Sequence, residues 1–179
     1  FETINELLAE FDPSEICILV RKKKQGAAIA RFLTEKGVEI VSSETLMLKN
    51  NASVNFIINM LQLFEDENND DAKFEILEFL YQHLEVIEDQ HDFLNNMISK
   101  KMVDFFRKLE VYGVFFDRER YNQFSILEGI EDLIRSFKLT TESDAFLQFF
   151  MDFVFDYSQR KSQKSISFLA FWEEKKDKL

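Results

Sequence analysis

The chain has 179 residues, of which 46% are hydrophobic and 21 are Phe, so it can build the core of an ordinary domain. Only 4 Gly and 1 Pro are present, which excludes a turn-rich all-β sandwich or barrel and favours long helices. The net charge is −11, and residues 51–100 hold 11 acidic but only 2 basic side chains. Because such a field repels phosphates, nucleic acid could be contacted only through local basic clusters.

The first 50 residues predict the order helix, strand, helix, strand. Glu2–Phe11 has the period of a short amphipathic helix, and Ile16–Val20 is a continuous apolar run typical of a strand buried on both faces. Gln25–Lys36 predicts a second helix that Gly37 would end, and Val38–Val41 predicts a second strand. This is a β-α-β unit with parallel strands. Two strands alone are not a stable sheet, so the stub is expected to belong to a larger, incomplete parallel sheet.

From Asn51 onward the apolar period stays helical, and Ser125 with Glu128 forms a capping-box pattern. The predicted fold class is therefore mainly α: a subdomain of about six helices at 51–179, preceded by the β-α-β stub at 1–50. The six apolar stripes are Val54–Phe64, Phe74–Leu84, Leu94–Leu109, Ile126–Phe137, Phe146–Tyr157 and Phe168–Trp172.

The stretch Ala145–Phe155 has apolar residues around much of the helix circumference. Phe149 and Phe155 lie off the main stripe of this predicted helix. Two interpretations follow: the helix is central in the subdomain, or it packs against a partner that this sequence does not contain.

A search for catalytic motifs finds none. The phosphate loop G-x-x-x-x-G-K-[ST] and the pattern G-x-G-x-x-G are absent, so no intact ATPase is expected in this segment. His83 and His91 lack the i, i+4 spacing of helical zinc ligands, and Glu65–Asp71 lacks the ligand spacing of a calcium loop, so no metal site is predicted. The single cysteine, Cys17, lies within an apolar run and is expected to be buried and structural.

The strongest polar feature is the run Arg21-Lys22-Lys23-Lys24, directly after the first predicted strand. In open α/β sheets, ligands bind at the carboxyl ends of the strands. Two interpretations remain open: a patch that contacts phosphates, or a solvated basic turn.

The order of the segments resembles the second motor lobe of UvrD/RecB-type superfamily 1 DNA helicases, most closely the RecB/AddA-like branch. Ile16-Cys17-Ile18-Leu19-Val20-Arg21 is similar to that family's strand followed by arginine, and Gly37-Val38-Glu39-Ile40-Val41 looks like its next strand. Ser42–Leu48 resembles the entry into the family's inserted helical subdomain. Val54–Phe64 and Ser167–Glu174 resemble that subdomain's first and last helices. The family often has Pro where this chain has Glu39.

The resemblance implies that residues 1–50 are part of a RecA-like second motor lobe and that residues 51–179 are the inserted helical subdomain. The parent would be an ATP-dependent DNA helicase of recombination and repair, with or without an exonuclease V-like nuclease in the same polypeptide. ATP and Mg are expected in the parent and no cofactor in this segment. The candidate DNA-binding residues are Arg21, Lys22, Lys23, Lys24, Ser42 and Ser43.

The expected partners are DNA, the remaining helicase lobes and a nuclease or helicase subunit. No charge-free run of about 18 apolar residues predicts a membrane span, and a cytoplasmic location is expected. The start at Phe1 rather than Met also indicates a segment of a longer protein. The alternative function is a non-enzymatic helical module whose acidic face at 51–100 binds a basic partner.

Overall fold

The computed structural model describes residues 1–38, 47–140, 144–160 and 165–179, and these form ten α-helices. The chain divides into two compact units, Phe1–Leu46 (unit 1) and Met47–Leu179 (unit 2). The predicted mainly helical class is confirmed. In unit 1 the helices are α1 (Glu2–Leu8) and α2 (Lys23–Glu35). In unit 2 they are α3 (Ala52–Glu65), α4 (Asp70–His83), α5 (Gln90–Ile98), α6 (Met102–Leu109), α7 (Arg118–Tyr121), α8 (Ile126–Ser136), α9 (Ala145–Arg160) and α10 (Ser165–Lys175).

Helix α3 is the centre of unit 2. It packs against α4, α8, α9 and α10, and half of its residues are buried. The physical cause is its sequence, in which Glu65 is the first charged residue. A helix that is apolar on most of its circumference is most stable when other helices cover all of its sides. For this reason α3, and not α9, takes the central position.

Polar side chains fix where several helices of unit 2 begin. Asn51 accepts the Val54 N–H at 3.0 Å before α3, and Asp144 accepts the Phe146 N–H at 2.8 Å before α9. The predicted capping box is confirmed: Ser125 N–H donates to Glu128 Oε2 at 2.9 Å, and Glu128 N–H donates to Ser125 Oγ at 3.4 Å. Each cap satisfies an amide that has no partner within the helix.

The predicted third helical stripe, Leu94–Leu109, is divided into α5 and α6. Lys101 has an extended backbone, and the buried Lys73 of α4 donates its Nζ to the carbonyl of Lys100. Lys73 thereby takes the acceptor that a continuous helix would use. This tertiary hydrogen bond is one reason why the described part of unit 2 has eight helices and not about six.

The predicted β-α-β stub at 1–50 is not supported. Residues 16–20 form neither a helix nor a strand, and no strand occurs elsewhere in the described part of the chain. Leu19 is 91% exposed, so this segment is not buried on both faces. Of the second predicted strand, Val38 is not in a strand and residues 39–41 lie outside the described residues. The physical reason is that a strand needs a paired neighbour, and the described residues provide none for this segment.

Two smaller predictions about unit 1 have opposite outcomes. Gly37 ends α2 as predicted: it has a φ of 79°, and the N–H of Val38 donates to the Leu33 carbonyl at 3.0 Å. Cys17 was expected to be buried, but it is exposed. The exposure of Cys17 has the same cause as the absent strand, because no described residues cover the apolar run around it.

Candidate functional site

The basic run lies between the segment 16–20, which has no regular secondary structure, and α2. Arg21 and Lys22 are exposed in this turn, and Lys23 and Lys24 are the first two residues of α2. Among the residues that the structure describes, neither Arg21 nor Lys22 forms an ion pair. Four cationic residues are therefore consecutive at the start of one helix.

The turn is shaped by backbone contacts. The carbonyl of Lys22 accepts the N–H groups of Gln25, at 2.9 Å, and of Gly26, at 3.3 Å. A Cβ atom at Gly26 would lie 3.2 Å from Cγ2 of Val20, which is tighter than most van der Waals contacts. The absence of a side chain at Gly26 thus lets Val20 approach α2 closely.

A surface groove of about 430 Å³ lies between these two segments. Its charged lining residue is Arg21, and Gln25 is its uncharged polar one; the apolar lining comes from Leu19, Val20, Ala28 and Ile29. The groove therefore combines an apolar wall with a cation at its rim. None of the lining residues that the structure describes is acidic, so an anionic ligand would meet no repelling carboxylate among them.

The electrostatics of α2 also bear on anion binding. The first turn of α2 carries no acidic residue, although carboxylates are the side chains that stabilise a helix N-terminus. Cations at that end oppose the helix dipole, so the arrangement costs stability unless an anion binds. A phosphate bound at this end of α2 would offset that loss of stability. Ser42 and Ser43, the other candidate DNA-binding residues, lie outside the described residues.

A second feature concerns where the chain enters and leaves unit 2. The N–H of Leu48 donates to the carbonyl of Leu179 at 3.1 Å. Beside it, Lys49 Nζ lies 2.6 Å from Asp177 Oδ1, and this hydrogen bond lowers the pKa of the Asp177 carboxyl. The two ends of unit 2 are therefore adjacent. Sequence reasoning missed this contact, and the only signal for it was the opposite charge of two residues 128 positions apart.

The two histidines differ in their surroundings, and among the described residues only the side chain of His83 makes a hydrogen bond or a ring contact. His83 Nε2 lies 2.9 Å from the carbonyl of Phe137, and its ring stacks on Phe79 at 5.1 Å, whereas His91 is exposed near the start of α5. In the described ranges no group of three His, Cys, Asp or Glu side chains could hold a metal ion. Asn69 lies within the acidic stretch Glu65–Asp71 and caps α4, with its side chain accepting the Ala72 N–H at 3.0 Å.

Across the described residues, no helix is both long and apolar enough to cross a membrane. No protein-family model, curated protein or solved structure matches the chain.

Proposed function

We propose that the chain is part of an ATP-dependent DNA helicase of the UvrD/RecB type, in which unit 1 belongs to the second motor lobe and unit 2 is the helical subdomain inserted into it. The observation that carries this proposal is the adjacency of Leu48 and Leu179. A subdomain inserted into another domain must receive and return the chain at neighbouring points. Unit 2 meets that requirement through one backbone hydrogen bond and the Lys49–Asp177 ion pair.

The exposed segment 16–20 supports the same proposal. Ile18, Leu19 and Val20 are exposed apolar residues, and such a surface is unfavourable in water. Neighbouring strands of a motor lobe would pair with this backbone and cover these side chains. The order of the sequence segments resembles that of UvrD/RecB-type helicases, so we propose that family for the lobe.

In this proposal the parent hydrolyses ATP, with Mg, through motifs outside the segment, and this part guides DNA. Arg21 and Lys22 would contact the phosphates of the DNA backbone, and unit 2 would move as one body when the motor changes state. Phosphate contacts of this kind are independent of base sequence and weaken as salt rises.

The first test measures binding of a fluorescent single-stranded oligonucleotide to the purified chain by anisotropy, over a series of salt concentrations. We expect weak, salt-sensitive binding that the double variant Arg21→Glu/Lys22→Glu abolishes. The matched control is Arg107→Glu/Lys108→Glu, which makes the same charge change on exposed residues of α6. Equal loss in both variants would show that only net charge matters and would contradict a role for the turn before α2.

The second test measures ATP turnover by the same chain. We expect none, because the phosphate loop lies elsewhere in the parent. Turnover that co-purifies with the chain through two further chromatographic steps would contradict the proposal. A longer reading frame with G-x-x-x-x-G-K-[ST] upstream of Phe1 would support it.

The second candidate function is a non-enzymatic acidic module that binds a basic partner. The observation that favours it is the solvent face of α4, where Asp70, Asp71 and Glu75 surround the exposed Phe74. Lys73, the lysine of this helix, is buried and donates its Nζ to the carbonyl of Lys100, so its ammonium group does not lie on that face. A reading frame that begins close to Phe1, stops at Leu179 and lacks the phosphate loop would favour this candidate.

A further inference from the structure

The break between α5 and α6 occurs where local sequence alone would continue the helix. From Gln90 to Leu109 the chain contains no Gly or Pro, and one apolar stripe runs through both helices at helical spacing. Lys100 and Lys101 are the residues between the C-cap of α5, at Ser99, and the first residue of α6. A backbone rotation at this joint would therefore merge the two helices into one of about 30 Å in length.

The break leaves the start of α6 without a side-chain cap. Lys101 occupies the N-cap position, and its ammonium group has no lone pair that could accept an N–H from the first turn. In a continuous helix the N–H of Asp104 would instead donate to the carbonyl of Lys100, four residues earlier. The N–H groups of Met102 and Val103 would gain acceptors in the same way. Local backbone hydrogen bonding therefore favours the continuous helix.

Lys73 of α4 opposes this local preference. It is 5% exposed, its Nζ donates to the carbonyl of Lys100, and the same Nζ lies 5.8 Å from the centroid of the Phe105 ring. Straightening the joint would take this carbonyl away from a buried ammonium group. A buried charge that loses its hydrogen-bond acceptor destabilises a fold strongly. Lys73 therefore holds the joint in its bent form.

A single copy of the chain cannot straighten the joint without damage to its core. Met102, Phe105, Phe106 and Leu109 of α6 are all buried. Losing the burial of four large apolar side chains outweighs the hydrogen bonds of one helical turn. Two copies avoid that loss if α6 and the elements after it occupy, in the second copy, the place that they leave in their own. The contacts of the core are then kept, and only the joint changes.

We infer that the α5–α6 joint is the hinge of a domain exchange between two copies of the chain, and that Lys73 keeps the chain monomeric by holding the joint bent. The partner is a second copy, and the exchanged part is residues 102–179. The surfaces that meet are complementary, because they are the same surfaces that form the core of one copy. This inference stands apart from the helicase proposal, because it depends on no residue of unit 1.

The test refolds the intact chain from urea at several protein concentrations in physiological salt and measures its mass by light scattering after size-exclusion chromatography. We expect the unchanged chain to be monomeric and Lys73→Met to form a dimer whose share rises with concentration. Methionine needs no acceptor, so the dissociation constant of the dimer should fall by more than about a hundredfold. Lys73→Met/Lys101→Pro should return to the monomer. Proline fits the φ of −66° at Lys101 but breaks a continuous helix.

The matched control is Lys108→Met, which makes the same change at an exposed position of α6 and should remain monomeric. A second variant, Ser99→Ala/Lys101→Ala, leaves the core unchanged because both residues are exposed. It raises the helix propensity of the joint and should also increase the dimer share, by less than Lys73→Met does. This variant decides the matter if circular dichroism shows that Lys73→Met does not refold.

Three outcomes would overturn the inference. The first is that neither Lys73→Met nor Ser99→Ala/Lys101→Ala forms a dimer. The second is an equal dimer share in the unchanged chain or in Lys108→Met, since the buried ammonium group would then not be what prevents association. The third is a dimer of Lys73→Met that the added Lys101→Pro does not reduce, because such a dimer would not need a continuous helix.

Discussion

Units 1 and 2 both contain apolar residues at helical spacing, but they bury them very differently. In unit 2 the rings of Phe56, Phe105, Phe137 and Phe150 are fully buried around α3. In unit 1, Leu33 is the only buried side chain among those whose burial is described, and Leu19 is almost fully exposed. The difference shows that helical pattern alone does not make a core. A core also needs enough neighbouring elements to exclude water, and a segment as short as unit 1 rarely supplies them.

The comparison predicts, first, that the two units differ in whether they fold alone. Residues 47–179 should retain the helical circular dichroism and the cooperative unfolding of that unit, because their core is contained within it. Residues 1–46 should show no cooperative transition. Thermal scans of the two separate segments measure this. A cooperative transition in residues 1–46 would show that unit 1 has a core of its own and would remove the main contrast between the units.

Core truncation gives the next largest effect. Phe56 lies within 5 Å, centroid to centroid, of both Phe79 and Phe137, so Phe56→Ala should lower the free energy of unfolding by about 3–5 kcal/mol. The control Leu19→Ala removes an exposed side chain and should change it by less than about 0.5 kcal/mol. Urea unfolding followed by Trp172 fluorescence measures the core of unit 2, because Trp172 packs on Phe150 at 5.6 Å. Similar losses in both variants would contradict the difference in burial.

The third prediction uses pH, because all four tyrosines lie in unit 2. Burial, with a hydrogen bond to Glu88, raises the pKa of Tyr112 to about 12. A phenol with a raised pKa in the folded state stabilises the fold fully below its unfolded pKa of about 10, and that contribution is lost as the pH rises towards 12. Unit 2 should therefore lose stability between about pH 10 and 12, and Tyr112→Phe should reduce this loss. An identical pH profile in the variant, measured by urea unfolding, would contradict the assignment to Tyr112.

The smallest expected effect tests a single cap. Ser125→Ala removes the hydroxyl that accepts the Glu128 N–H, and it should cost about 1 kcal/mol of unfolding free energy. Ser136→Ala, at the other end of α8, removes the same group without removing a cap and should have little effect. Equal losses would show that the hydroxyl matters for a reason other than capping.

Much of unit 2 could be predicted from local patterns. The apolar stripes located most of its helices, and the Ser125–Glu128 pair fixed the start of α8, because both signals act within a few residues. The break between α5 and α6 could not be found in this way. It depends on Lys73, which lies 27 residues away from the carbonyl that it binds.

The candidate site shows the same division. The run Arg21–Lys24 is visible in the sequence, and its position at the start of α2 follows from local pattern. The groove beside Arg21 could not be predicted, because it depends on how Val20 packs against Gly26. The strand expected at 16–20 failed for a related reason. A strand is stabilised by hydrogen bonds to a neighbour, and no local pattern states whether that neighbour is present.

By itself, the sequence determined the mainly helical class, the acidic charge of residues 51–100, several helix boundaries and the basic turn. These follow from periodicity, composition and capping, which are properties of adjacent residues. Only the tertiary structure decided that α3 is central, that α9 exposes Phe149 and Phe155, and that Leu48 lies beside Leu179. Each of these depends on which surfaces meet in space, and that is set by the packing of whole helices and not by the order of residues along any one of them.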